Sequence, residues 1–298
     1  MSNPRDSRSI PHRKQFKNQR RVKYTIPRGP INRSISKWIT DTVETIDEND
    51  RECIEIEVKF GKILDKSTQS RVNLPKECLL RKAGNNINFQ MEVQQSDWQE
   101  LHELLENKTR TNDISNKVFS STTENAYHIG QGQNERRVRI STDNLSDPPV
   151  FTAVEKKRIS DLFIHTPFNR YDFRISISLE IPEVEIDLEK VTKEQKSFFT
   201  RFKKRTSWRK GDTLYEFTRA LEPKEGKTNK CEKYEIELEM NPAAILDAIS
   251  KKESIDEVVD NFIFDARSIN YADDNVNTRC ENQTSSARSD HVKKGNYR

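Results

Sequence analysis

Hydrophobic and polar residues alternate with period two in several separate stretches of the chain, the signature of half-buried β-strands. The first runs Ile54-Glu55-Ile56-Glu57-Val58-Lys59-Phe60. Others span Arg137–Ile140, Val154–Ile159, Phe173–Glu180, Arg201–Arg205, Leu214–Thr218 and Tyr234–Met240. The run Glu183–Glu189 also alternates and is read as a further strand. Helical spacing is rarer. Ser96-Asp97-Trp98-Gln99 reads as a capping box ahead of an apolar stripe of Trp98, Leu101, Leu104 and Leu105. Asn241-Pro242 reads as N-cap and first residue of a helix through Ile245 and Ile249. Ser254-Ile255-Asp256-Glu257 is a second capping box, followed by Val258, Val259, Phe262 and Ile263. Many strands and few helices predict an α+β protein dominated by an antiparallel sheet or barrel.

The polar faces of these strands are unusual. For any single strand, a charged face in water is the simpler reading. Such faces normally mix signs, because like charges opposite one another repel. Here the signs are segregated by strand. Glu55/Glu57 and Glu235/Glu237/Glu239 are purely acidic, whereas Arg137/Arg139 and Arg201/Lys203/Arg205 are purely basic. Clustered carboxylates suit a hard divalent cation such as Mg²⁺ or Mn²⁺. Clustered Arg and Lys suit phosphate. A closed barrel with a polar lumen lets many strands aim such groups at one axis.

Composition sharpens this picture. Of 298 residues, 34% are charged and only 32% hydrophobic, which raises the question of where a folded chain puts its charge. Residues 1–36 carry +9 and residues 271–298 carry +1, leaving −6 on residues 37–270. A disordered basic leader (1–36), a mildly acidic body (37–270) and a disordered polar tail (271–298) are expected. The leader has the composition of a nucleic-acid arm or a nuclear import signal, against a plain solvated tail. No apolar run is long enough to span a membrane, and no secretory signal is expected. Cys53, Cys78, Cys231 and Cys280 form no Cys-x-x-Cys pair, so neither a zinc site nor a redox motif is indicated. The five histidines show no ligand spacing.

Glu-x-Glu on an early strand, Glu-x-Glu-x-Glu on a late one and basic strands between them resemble the triphosphate tunnel metalloenzymes. Among these the chain is most similar to the fungal metal-dependent RNA 5′-triphosphatases of the mRNA capping enzyme beta subunit family. Within that family the nearer likeness is to the small, capping-independent polynucleotide 5′-triphosphatases of budding yeasts. The resemblance runs from about Ile54 to Met240.

It implies an antiparallel β-barrel, the triphosphate tunnel, with a charged lumen and a few flanking helices. It implies metal-dependent hydrolysis of the γ-phosphate of 5′-triphosphate RNA ends to 5′-diphosphate ends, with hydrolysis of nucleotides in manganese as a side activity. By position, Glu55, Glu57 and Glu239 match the ligands of Mg²⁺ or Mn²⁺, and Glu235 and Glu237 match supporting acids. Arg139, Lys156, Arg201, Lys203 and Arg205 match phosphate-binding residues. Glu180 matches the carboxylate that positions the attacking water. Glu216 and Thr218 stand at the Asp-x-Thr positions, and Glu124 stands where aspartate is usual. Phe60 matches an aromatic that packs outside the tunnel. Leu214 departs from the family, which has Arg or Lys there.

A homodimer in the nucleus, with the cytoplasm left open, fits the likeness. The Trp-rich peptide that docks a guanylyltransferase is not visible, since Trp38, Trp98 and Trp208 lie in other contexts. A guanylyltransferase partner therefore stays open. Two other readings stand beside RNA-end hydrolysis: a tunnel triphosphatase for free nucleotides, inorganic or thiamine triphosphate, and a non-catalytic RNA 5′-end-binding protein.

Overall fold

Among the described residues ten strands form the framework: β1 (Ile54–Asp65), β2 (Cys78–Leu80), β3 (Ile87–Gln90), β4 (Ser115–Ile129), β5 (Arg136–Asp143), β6 (Val150–His165), β7 (Asp172–Pro182), β8 (Phe199–Lys210), β9 (Thr213–Pro223) and β10 (Lys230–Met240). Five helices accompany them: α1 (Ile31–Glu44), α2 (Gln95–Arg110), α3 (Leu188–Glu194), α4 (Pro242–Ser250) and α5 (Asp256–Asn270). The computed structural model describes residues 31–80, 86–111, 114–130, 132, 135–184, 186–223 and 230–270. Most of the basic leader and the whole polar tail lie outside these residues.

Eight strands close on themselves. The antiparallel order β10-β9-β8-β4-β5-β6-β7-β1 is completed by pairing of β1 with β10. β2 and β3 extend the wall at one end, on β6 and β1. Gly61 of β1 permits the close approach of β3: a Cβ there would meet Gln90 O at 2.2 Å and the Phe89 ring at 2.7 Å.

Closure explains the alternation. The apolar residues of β1, Ile54, Ile56, Val58 and Phe60, join Ile175, Ile177 and Leu179 of β7 and Ile236, Leu238 and Met240 of β10 in the main core. This core lies outside the barrel, beneath the helices. Trp98, Leu101 and Leu105 of α2 pack there with Trp208, Phe217 and Tyr234. Trp38 of α1 reaches the same wall, its Nε1–H donating to Ser160 Oγ at 3.2 Å. Phe60 packs edge-on against Phe173, ring centres 5.0 Å apart, away from the lumen. α3 covers the β4–β5 wall through Val191. Among the described residues, no helix is long and apolar enough to cross a membrane.

Three expectations are corrected, and one strand was not foreseen. Residues 31–36, counted with the leader, begin α1; Ile35 and Ser36 are buried along with Trp38, Ile39, Thr42 and Val43, so this amphipathic face is fixed to the body. The described residues of the alternating run Glu183–Glu189 form no strand: Asp187 accepts a hydrogen bond from Lys190 N and starts α3. Ser96 does not cap α2, which begins one residue earlier behind Gln94 without a side-chain cap. β4, fifteen residues rich in Ser and Thr, is a full barrel strand that the apolar pattern did not reveal. By contrast Asn241 caps α4 through Ala243 N, with Pro242 as the first residue.

Candidate active site in the tunnel

Every residue singled out for chemistry lies on the inward face of a barrel strand, and register brings them together. Glu57 faces Glu239 across β1–β10, and Lys59 faces Glu237. Glu237 faces Glu216, and Glu235 faces Thr218, across β10–β9. Arg205 faces Thr218 across β8–β9. Arg201 faces Glu124 across β8–β4, and Lys156 faces Glu180 across β6–β7. The acidic groups of β1, β10 and β9 thus share one side of the barrel, and the basic groups of the adjacent strands β5 and β6 line another.

The signs neutralise one another through ion pairs across strands. Glu55 accepts from Lys156 and, at 3.0 Å, from Ser178 Oγ. Lys156 also stands 3.2 Å from Glu180, which pairs with Arg139 at 2.8 Å. Glu57 contacts Lys59 at 3.1 Å and Arg158 at 3.4 Å. Lys59 reaches Glu237 at 2.5 Å, and Arg205 bonds Glu216 and stands 3.4 Å from Glu237. Glu124 holds Lys203 at 2.7 Å and Arg201 at 3.0 Å, and Arg201 continues to Glu235 at 3.3 Å.

These contacts set the protonation states. Burial opposes the charge of Glu124, yet Lys203, Arg201 and Arg139 hold its pKa down at about 2. Glu237 is likewise held low, against burial, by Lys59 and Arg205. Burial, with Arg205 and Arg201 alongside, lowers Lys203 to about 8 despite Glu124. Glu239 behaves in the opposite way. Burial and the neighbouring Glu216, Glu55 and Glu180 raise it to about 7. It has no ion pair among the described residues, and like charges directly opposite one another on paired strands, as Glu57 and Glu239 are, destabilise a sheet.

The basic end encloses a cavity of about 510 Å³. Its wall carries seven cationic side chains, Lys59, Arg137, Arg139, Lys156, Arg158, Arg174 and Arg201, against two acids, Glu124 and Glu222. The Nε–H groups of Arg139 and Arg174 are buried without a hydrogen-bond partner, a state that calls for an acceptor. Lys203 and Arg205 do not line this cavity; they stand behind it on Glu124, Glu216 and Glu237. Lys59, Arg158 and Arg174 were not foreseen as lumen groups, and Arg137, read as part of a basic face, was given no phosphate role. Each sits at an even offset from an assigned residue on its own strand, so the period-two rule carried further along the same faces points to them. At the acidic end a second cavity, about 260 Å³, is lined by Glu239, Leu214, Arg209, Asn241 and Pro242.

Glu55, Glu57 and Glu239 offer only carboxylate oxygens, which suits a hard divalent cation. Among the described residues no three carboxylate, imidazole or thiol groups yet stand close enough to enclose one. Glu55 and Glu57 are held instead by Lys156, Lys59 and Arg158. The charge imbalance at Glu239 nevertheless fits a cation there, because a positive charge would relieve its repulsion with Glu57, Glu55 and Glu216.

The sequence matches the family described as mRNA capping enzyme, beta chain, over residues 25–272. It is 32% identical to the mRNA-capping enzyme subunit beta of Candida albicans over 263 residues, 82% of this chain and 49% of that protein. It is 29% identical over 148 residues to the polynucleotide 5′-triphosphatase CTL1 of Saccharomyces cerevisiae, 47% of this chain and 46% of that one. The chain spans about half the length of these curated relatives. The RNA triphosphatase Pct1 of S. pombe, solved in complex with the Spt5 CTD, superposes with a TM-score of 0.70 at 23% identity, covering 88% of this chain and 98% of that one. This likeness establishes a shared barrel fold.

Proposed function

The chain belongs to the mRNA capping enzyme beta chain family, and on that premise we propose that its tunnel removes the terminal phosphate of 5′-triphosphate RNA ends, leaving a 5′-diphosphate. The observation that carries this reading is the cavity wall of seven cations, two of them with buried, unpartnered N–H groups. Such a wall needs a multiply charged anion, and a triphosphate end supplies one on a flexible strand that threads a barrel where a duplex does not.

Arg139, Lys156 and Arg201 would hold phosphate oxygens directly. Lys203 and Arg205, set behind them, would keep Glu124, Glu216 and Glu237 neutralised so that the wall stays attractive to phosphate. Phosphoryl transfer draws its rate from positioning and charge stabilisation. Burial opposes the charge of Glu180, but Lys156 and Arg139 lower its pKa, so it is an ionised acceptor. An acceptor of low basicity orients an attacking water better than it strips its proton. Glu55, Glu57 and Glu239 would hold Mg²⁺ or Mn²⁺. Bound there, the cation would neutralise charge on the phosphates.

The test compares phosphate release from triphosphate-ended RNA, ATP and inorganic triphosphate in Mg²⁺ and in Mn²⁺. RNA should have the highest kcat/KM. Release confined to inorganic triphosphate would transfer the assignment to a small-molecule substrate, and no release from any of the three would end it.

A further inference from the structure

An exposed phenylalanine stands at the rim of the basic cavity. Phe198, just before β8, keeps 45% of its surface in solvent. Its backbone N–H donates to Ala126 O at 3.0 Å, which fixes it beside the cavity wall that Ala126 helps to form. The His128 ring lies against it, centres 4.4 Å apart and tilted by 39°. The Arg137 guanidinium covers the ring at 4.8 Å from its centre. Arg137 and His128 are register partners on β5 and β4. Arg137 also lines the cavity, so one side chain joins the aromatic ring to the phosphate-binding wall.

A single exposed aromatic needs no explanation. This one is held by a backbone hydrogen bond, an imidazole and a guanidinium, all with exposed surface, at the mouth of a cationic cavity. Planar rings and Arg planes are the surfaces on which proteins stack unpaired bases. The spacing suits a nucleotide. Arg137 precedes Arg139 by two residues, roughly 7 Å along a strand, comparable with the reach from a 5′-phosphate to its base.

We propose that Phe198, His128 and Arg137 form a stacking platform for a base at or near the 5′ end of single-stranded RNA whose triphosphate enters the cavity. The proposal rests on the RNA-end reading and adds a source of selectivity: inorganic triphosphate has no base to stack. Because stacking tolerates every base, no sequence preference is expected.

The experiment measures binding of fluorescently labelled, triphosphate-ended single-stranded RNA by anisotropy, and kcat/KM for RNA, ATP and inorganic triphosphate. Phe198→Ala and Phe198→Leu should each weaken RNA binding roughly tenfold, within the range of a single base stack. Both should leave inorganic triphosphate turnover at the wild-type value, and Phe198→Trp should restore RNA binding. Unchanged RNA binding in Phe198→Ala overturns the platform. So does an equal loss for RNA and inorganic triphosphate, which would mark a structural role. If no substrate is hydrolysed, the proposed activity fails while the anisotropy comparison still decides the platform; RNA that does not bind at all overturns both.

Discussion

Lys156 bridges Glu55 and Glu180, donating to the first and standing 3.2 Å from the second. One ammonium thus ties a carboxylate suited to a cation to the carboxylate suited to orienting water. Lys156→Ala would remove the proposed phosphate contact while keeping both carboxylates in the chain. Turnover should fall on the order of a hundredfold, the scale of one lost charge-stabilising donor. Mg²⁺ should raise the melting temperature of the variant as much as that of the wild type, because a ligand that binds only the folded state stabilises it. Phosphate release and thermal melts with and without Mg²⁺ check both halves.

Arg209 faces Leu214 across β8–β9, and both line the acidic-end cavity with Glu239. Arg209 thus sets a basic side chain beside the Leu214 position, where the family resemblance implies Arg or Lys. Arg209→Ala should lower kcat/KM about tenfold, the worth of one hydrogen bond to a charged group. Leu214→Arg in that background should recover most of it. Kinetics of the single and double variants decide; an Arg209→Ala enzyme as active as wild type would separate Arg209 from the chemistry.

Glu124 lines the cavity as an anion, and Lys203 neutralises it from behind. With Lys203 lowered to about 8, raising the pH through 8 strips this proton and leaves Arg201 as the remaining ion-pair partner of Glu124. The KM for RNA should therefore climb above pH 8. Lys203→Arg keeps its charge over that range, so its KM should stay flat between pH 7 and 9.

Stability has a separate anchor in Asp172, which is fully buried at the start of β7. It accepts from Arg71 Nη2 at 2.7 Å, Ile63 N at 2.9 Å, Thr166 N at 3.0 Å and His165 Nδ1 at 3.0 Å. Burial opposes its charge, but these donors lower its pKa. Its contribution is therefore complete above its unfolded value near pH 4 and is lost as pH falls through the lower folded value. Asp172→Ala should cost about 3–5 kcal/mol, as breaking a buried pair does, measured by urea unfolding at pH 7. The difference from wild type should shrink towards pH 3.

Much of this was legible in the chain because strand alternation is a local property. Ile54–Phe60 displays both its core face and its tunnel face in seven residues. The polar faces could be sorted because most acids and bases sit on different strands, Lys59 on β1 and Arg174 on β7 being exceptions. Other features lacked a local signal. β4 is Ser/Thr-rich, and only Glu124 marked it. α1 was obscured by the basic composition before it, although Ile35, Trp38 and Ile39 already lie at helical spacing. Glu183–Glu189 alternates, yet its described residues form no strand, since a single Asp187 cap outweighs a short pattern. The cross-strand ion pairs depend on register, which no single strand contains, and Phe198 meets Arg137 only once β8 and β5 flank β4.

Glu239 offers the most direct measurement of the whole account. It stands opposite Glu57, is raised to about 7 by burial and by Glu216, Glu55 and Glu180 against the more distant Arg205, and has no ion pair among the described residues. Release of the γ-phosphate from triphosphate-ended RNA should require Mg²⁺ or Mn²⁺ in the wild type. It should fall at least a hundredfold in Glu239→Gln, on the scale of a lost metal or oxyanion contact, with RNA binding retained. Equal release by Glu239→Gln and wild type, or release undiminished by a chelator, would contradict a tunnel that works through its carboxylates.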